Sequence, residues 1–256
     1  ERHRGYFYIM GEETISCNPE QNPSDTLQWG IPQLKINELW TKPIKNETRP
    51  VIAILDTGVD TTHPDLKDNI WSKPGNENEH GYDFINETTD IRDYNAHGTH
   101  VAGIAAAVDN GEGIIGANPR ALVMPVIVMQ SDGTGDIATI IKGINYAAQN
   151  GATVINMSLG TYANSKALRQ ALEKAYQKCI LVAAAGNDGL ANDRECTLLP
   201  SPMFPASYSF VLGVQATSSD GKLASFSNYD CNGSFFSGEK DLYGDEGCNY
   251  ELSAPG

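Results

Sequence analysis

Apolar residues along the chain fall into two kinds of run. Short runs rich in Val, Ile and Leu, at 51–55, 121–128, 153–157, 179–185 and 210–216, have the length and branching of buried strands. Between them lie stretches with helical spacing: 136–149 places Ile137, Ile140, Ile141 and Ile144 on one face, and 165–178 does the same with Leu168, Ala171, Leu172 and Ala175. A helix rich in Ala, Val and Ile is predicted from His97 to Val108, ended by Asp109-Asn110-Gly111, and its apolar character all round marks it as central and buried. The strand at 51–55 and that helix are separated by a polar excursion to residue 95, long enough to hold functional loops.

Strand–helix alternation with short Gly-rich joins predicts an α/β fold: a doubly wound, mostly parallel sheet with helices on both faces, binding ligands at the carboxyl ends of its strands. Residues 1–24 are polar, carry Pro19 and Pro23 and show no period, so they read as an N-terminal extension, with one domain over 25–256. Thirty-two acids against 18 bases give a net charge of −14, which argues against a nucleic-acid or anionic-membrane partner. The longest apolar runs are half of what a bilayer needs, so no membrane span is expected. Five cysteines lie in no zinc-ligand spacing. Cys179 reads as a small buried hydrophobe, and Cys231 and Cys248 bracket a polar loop that a disulfide would staple.

Candidate chemistry sits at the strand ends. The run Val51–Leu55 ends on Asp56-Thr57-Gly58, and His97 opens the Gly/Ala-rich segment Ala96 to Gly103. A buried Asp accepting from one imidazole nitrogen fixes the tautomer and stabilises the imidazolium formed when the other nitrogen takes a proton. Gly186-Asn187 ends the run from Leu181 to Ala185, so the Asn187 carboxamide projects toward the same crevice, where it can stabilise an oxyanion.

Together these residues resemble the subtilisin-like serine peptidases, the subtilase family. The matching stretches, from about residue 25 onward, are Trp29-Gly30-Ile31, Asp56 to Asp60 with His63 to Leu66, His97 to Gly103, Asp132 to Gly135, Val154 to Gly160, Ala183 to Asn187, Phe204-Pro205 and Leu252 to Gly256. The resemblance implies a serine endopeptidase in which Asp56 orients His97, His97 is the general base and later the acid, and Asn187 lines the oxyanion hole. It implies that Gly133, Thr134 and Gly135 on one side, and Ser158, Leu159 and Gly160 on the other, flank an extended polypeptide substrate by strand addition. It also implies a structural Ca²⁺ held by Asp65 and the loop Val108, Asn110, Glu112 and Ile114, with Asp25 as a further ligand; hard oxygen donors suit that ion. Phe204-Pro205 becomes a candidate cis peptide.

The sequence departs from the family in two places. The family nucleophile follows the Ala-Pro-Gly motif in a Gly-Thr-Ser segment, which these 256 residues do not contain, so the chain as given is expected to be inert alone, or to work with its own C-terminal fragment. A peptide-binding pseudoenzyme or regulatory protein without turnover is the alternative. Tyr229 to Tyr250 forms an acidic loop longer than the family core requires. The acids Asp83, Glu87, Asp90 and Asp93 read as a solvated rim that favours basic substrates. The resemblance and the absence of an initiating Met point to an extracellular or cell-envelope location.

Overall fold

The computed structural model describes residues 6–9, 28–40, 48–192, 201–230, 250 and 252–256. In chain order the elements are β1 (Tyr6–Ile9), α1 (Gly30–Gln33), α2 (Asn37–Trp40), β2 (Val51–Asp56), β3 (Tyr82–Asp83), α3 (His97–Ala106), β4 (Leu122–Ile127), β5 (Thr134–Asp136), α4 (Ile137–Gln149), β6 (Val154–Met157), β7 (Leu159–Gly160), α5 (Lys166–Tyr176), β8 (Ile180–Ala184), β9 (Leu212–Thr217) and β10 (Leu252–Pro255).

Seven of these strands form one parallel sheet in the order β10-β9-β8-β6-β2-β4-β3. Side chains on β2 alternate between two cores. Ala53 and Leu55 pack with Met124 and Val126 of β4 and with residues of α4 and α5, whereas Ile52 and Ile54 join Val123, Ala102 and Ala106 on the α3 side. An unbroken apolar strand is the result of covering both faces, and each fully buried Leu or Ile there contributes about 2 kcal/mol. The doubly wound architecture expected from the alternation is present. Its winding reverses around β2, which has β4 on one side and β6 on the other. At such a reversal a crevice opens beyond the carboxyl ends of the strands.

Helix starts follow their caps. Asp136 accepts the Thr139 amide at 3.0 Å and Ser165 accepts the Leu168 amide at 3.3 Å, each worth about 1 kcal/mol, so α4 and α5 begin one residue after the capping side chain. Buried Ile140, Gly143, Ile144 and Ala147 on α4, and Leu168, Leu172 and Ala175 on α5, keep the helical spacing read from the sequence.

Several expectations shift. Helix α3 stops at Ala106, not Val108, because Ala107 turns extended and the Val108 amide donates to the Asp65 carbonyl. Nor is α3 buried all round: Gly98, Ala102, Gly103 and Ala106 are buried, while Ile104 is 53% exposed. Strand β9 starts at Leu212, because the Val211 amide is used in a turn to the Tyr208 carbonyl. Within the stretch read as a featureless extension, β1 forms, too short to show a period; the one-turn helices α1 and α2 escape the sequence for the same reason.

The Phe204–Pro205 peptide bond is cis. Cys179 is buried with its Sγ donating to the Ala152 carbonyl at 3.1 Å, as its apolar surroundings predicted. Cys17, Cys196, Cys231 and Cys248, most of the acidic stretch from Tyr229 to Tyr250, and the candidate ligand Asp25 lie outside the described residues.

Candidate active site

Strand β2 delivers Asp56 to the carboxyl edge of the sheet, completely buried. Its Oδ1 accepts the Thr57 amide at 2.7 Å and His97 Nδ1–H at 2.7 Å, while Oδ2 has no partner among the described residues. The His97 side chain is only 7% exposed. A buried carboxylate aimed at Nδ1 leaves Nε2 as the basic nitrogen and stabilises the ring once it is protonated.

The approach of α3 to β2 depends on a residue with no side chain. A Cβ on Gly98 would lie 2.1 Å from the Gly58 carbonyl oxygen and 3.1 Å from the Asp56 Cβ. Backbone contacts of that kind cannot relax by a rotamer change, so Gly98→Ala must push His97 away from Asp56. A displacement near 1 Å costs on the order of 10–10²-fold in rate. Steady-state hydrolysis by the full-length Gly98→Ala protein checks this, and an unchanged rate would refute it.

Asp93 holds the junction together from beneath. Its Oδ1 accepts the Asn95 and Ala96 amides at 3.0 and 2.9 Å and the Thr57 hydroxyl at 2.9 Å; its Oδ2 accepts the Thr99 amide at 2.9 Å and hydroxyl at 2.7 Å. Thr57 Oγ1 in turn accepts the Gly98 amide at 3.1 Å. The neighbours of Asp56 and His97 are thereby tied through one carboxylate. Ala96, at the helix N-cap, has φ of 81° and no capping side chain of its own, so Asp93 supplies the cap from outside the helix. Burial works to raise the Asp93 carboxyl, but the Thr99 hydroxyl and the amides of Asn95, Thr99 and Ala96 outweigh it, leaving the group below the usual carboxylate range.

The solvated acidic rim is corrected in part: Asp83 is buried, with its carboxylate accepting the Ile85 and Asn86 amides, and Asp93 is an internal anchor, whereas Asp90, paired with Arg92 at 2.5 Å, and Glu87, 3.7 Å from Lys142, are exposed as expected. Sequence spacing showed the carboxylates but not the donors that fold back onto them.

Segments 133–135 and 158–160 contribute β5 and β7, and β1 lies between them as the middle strand of a three-stranded antiparallel sheet. Phe7 is opposite Gly135, Tyr8 opposite both Thr134 and Gly160, and Ile9 opposite Leu159. Ser158 follows β6, the strand next to β2, so this small sheet stands at the same carboxyl edge as Asp56. Asn187 is exposed just past the end of β8, beyond Gly186, whose φ of 110° lets the chain turn out of the sheet. Asp56, His97, Asn187 and both wall segments thus lie at one edge of the sheet.

The proposed metal loop gathers around Asp65, which is 4% exposed. Asp65 Oδ1 accepts Asn110 Nδ2 at 3.2 Å and Oδ2 accepts the Ile114 amide at 3.0 Å, while Asn110 Oδ1 accepts the Glu112 amide at 2.9 Å. Gln28, which the sequence reading passed over, reaches the same loop: its Nε2 donates to the Ile115 carbonyl at 2.8 Å and its Oε1 accepts the Ile115 amide at 3.1 Å. One buried carboxylate, two carboxamides and a carbonyl-rich turn form a hard-oxygen donor set that suits a divalent cation. Among the described residues no group of three or more His, Cys, Asp or Glu side chains is placed to hold a metal.

With this geometry in place, comparison with known proteins is specific. The model of the subtilase family matches residues 47–256. The Thermophilic serine proteinase of Bacillus sp. (strain AK1) is 39% identical over 223 residues, covering 85% of this chain and 51% of that protein. The Major intracellular serine protease of Bacillus subtilis (strain 168) is 39% identical over 223 residues, 86% of this chain and 65% of its own length. The Minor extracellular protease Epr of the same strain is 37% identical over 201 residues, 78% of this chain and 28% of its own length. The chain spans about half the length of the first relative and less than two thirds of the second. Relatives named for opposite sides of the cell match alike, so the similarity fixes no compartment. No helix among the described residues is long and apolar enough to cross a membrane.

Proposed function

The chain belongs to the subtilase family, and from that premise we propose that it acts as the catalytic part of a serine endopeptidase. Asp56 orients His97, and His97 Nε2 takes the proton of the nucleophilic serine hydroxyl, then passes it to the leaving amine. The Asn187 carboxamide donates to the oxyanion of the tetrahedral intermediate. Substrate binds extended, as a strand between Gly133-Thr134-Gly135 and Ser158-Leu159-Gly160.

The observation that best supports this reading is β1. A segment of the chain itself pairs antiparallel with both edges, backbone to backbone, which is how a peptide of mixed sequence would be held. Strand addition places affinity in main-chain hydrogen bonds and so suits a site that accepts many polypeptides.

The test uses the full-length protein with an unfolded polypeptide substrate and a serine-directed phosphonate. Interior cleavage that stops when one serine is labelled supports the reading. Peptide binding without cleavage or labelling would replace it with a binding protein that lacks turnover. Deleting residues 1–10 is expected to lower KM several-fold, because β1 and substrate compete for the same edges. An unchanged KM would mean that β1 does not occupy the substrate's place.

We also propose that Asp65, Asn110 and Gln28, with the carbonyls of Val108, Glu112 and Ile114, hold a structural Ca²⁺. A ligand that binds only the folded state stabilises it by RT ln(1 + [L]/Kd), about 2.7 kcal/mol at a hundredfold excess over Kd. Millimolar Ca²⁺ is expected to raise Tm by several degrees over a chelated sample, and Asp65→Ala to remove the rise. Equal Tm values with Ca²⁺ and with chelator would rule this site out.

A further inference from the structure

Asn228 is completely buried and lies in the turn after β9, 41 residues beyond Asn187 in the chain, yet its bonds converge on the segment that carries Asn187. Its Nδ2 donates to the Ala185 carbonyl at 3.0 Å and its backbone amide to the Gly186 carbonyl at 2.8 Å. On the other side of Asn187, Asn228 Oδ1 accepts the Asp188 amide at 3.1 Å and the Leu190 amide at 3.0 Å. The two residues before Asn187 and two of the next three after it are thus held by one residue. The second Nδ2 hydrogen goes to the Tyr162 hydroxyl at 3.0 Å, so the carboxamide uses both of its donors and both acceptor sites.

Tyr162 carries the connection to the substrate wall. It lies two residues past β7, and its hydroxyl donates to Asp188 Oδ2 at 2.5 Å. Ser227, the residue before Asn228, accepts the Ala216 amide of β9 at 2.9 Å and donates to the Asn228 carbonyl at 2.8 Å, so the anchor is itself fixed to the sheet. Packing explains the glycine as well: a Cβ on Gly186 would lie 2.4 Å from Asn228 Nδ2. Gly186 is needed both for its positive φ and for the approach of this amide.

We propose that Asn228, through Tyr162, is the positioning residue for the Asn187 carboxamide: it fixes the loop that presents the oxyanion donor and couples that donor to the Ser158-Leu159-Gly160 wall. This rests on the oxyanion role given to Asn187 above. A donor that gains its value only in the transition state must be held in advance, because any freedom it loses during the reaction is charged to the barrier. Loosening the loop therefore acts on kcat rather than on KM.

The experiment is a double-mutant cycle in the full-length protein. Asn187→Ala alone is expected to lower kcat on the order of 10²–10³-fold, a magnitude known for a single oxyanion donor in a subtilisin, of this family, rather than one obtained from these distances. Asn228→Ala is expected to lower kcat on the order of tenfold with KM within twofold, and to cost less than about threefold when Asn187 is already Ala. Tyr162→Phe, which keeps the ring and removes the hydroxyl, should show a smaller loss that also vanishes in the Asn187→Ala background. It carries the test if Asn228→Ala does not fold. Losses that multiply in full in the double variants, or that fall on KM, would overturn the positioning role while leaving Asn187 in place. An Asn187→Ala protein with unchanged kcat would overturn the oxyanion reading and this proposal with it.

Discussion

His97→Ala in the full-length protein is expected to lower kcat/KM for an extended peptide by about 10⁴-fold or more while leaving Tm nearly unchanged. The bound lies below the losses of about 3 × 10⁴ to 2 × 10⁶ known for single triad deletions in a subtilisin, of this family, and the role of His97 is the one proposed above. Asp56 is wholly buried, donates nothing, and accepts Nδ1–H at 2.7 Å, so the ring is held with Nε2 as its only basic position. Asp56→Asn is expected to cost on the order of 10⁴-fold by presenting an amide donor where an acceptor is required. Its Oδ2 already lacks a partner among the described residues, so a neutral side chain of the same shape should not unfold the site. Kinetics together with circular dichroism separate the two effects. A His97→Ala protein that keeps more than a few per cent of its activity would remove His97 from the reaction.

Asp93→Ala is expected to cost about 2–4 kcal/mol of stability and on the order of 10² in rate. Removal of the carboxylate withdraws the cap of α3, worth about 1 kcal/mol, and leaves donors on Thr57 and Thr99 without their acceptor, at about 1–3 kcal/mol together. The rate loss follows from movement of the first turn of α3, which carries His97. A pH dependence accompanies it. Hydrogen bonds hold the folded Asp93 carboxyl below its unfolded value near 3.9, so its contribution is fully present above that value and is lost as pH falls through the folded pKa. Asp93→Asn should therefore lower stability on the neutral side, where the carboxylate contributes in full, and flatten the acid limb of the stability curve. Denaturant unfolding from about pH 6 to pH 2.5 reads this directly. An acid limb identical to that of the native protein would show that Asp93 is not linked to folding.

The acidic loop shows why such a residue escapes a reading of sequence alone. Asp83, Glu87, Asp90 and Asp93 share a polar stretch and look equivalent along the chain. In the fold, Asp83 caps its own turn, Asp90 is neutralised by Arg92, and Asp93 reaches amides on α3 and the hydroxyl beside Asp56. Which acid meets which donor is set by a chain reversal over residues 57–95 that has no periodic signal. Asn228 and Gln28 were missed for the same reason. Each is a lone carboxamide in an irregular segment, and its importance lies entirely in backbone groups distant along the chain.

By itself the sequence determined the strand–helix alternation, the faces of α4 and α5, the doubly wound sheet and the pairing of Asp56 with His97. The alternation, the helix faces and the sheet rest on local periodicity, which is short-range information; the pairing of Asp56 with His97, 41 residues apart, was legible through two contiguous motifs and the family they resemble. Only the tertiary structure decided that α3 exposes Ile104, that Tyr6–Ile9 lies between β5 and β7, and that Asp93 and Asn228 hold the segments carrying His97 and Asn187 from outside them. Those are long-range hydrogen bonds between irregular segments, and polar side chains in loops carry no period from which their partners can be read.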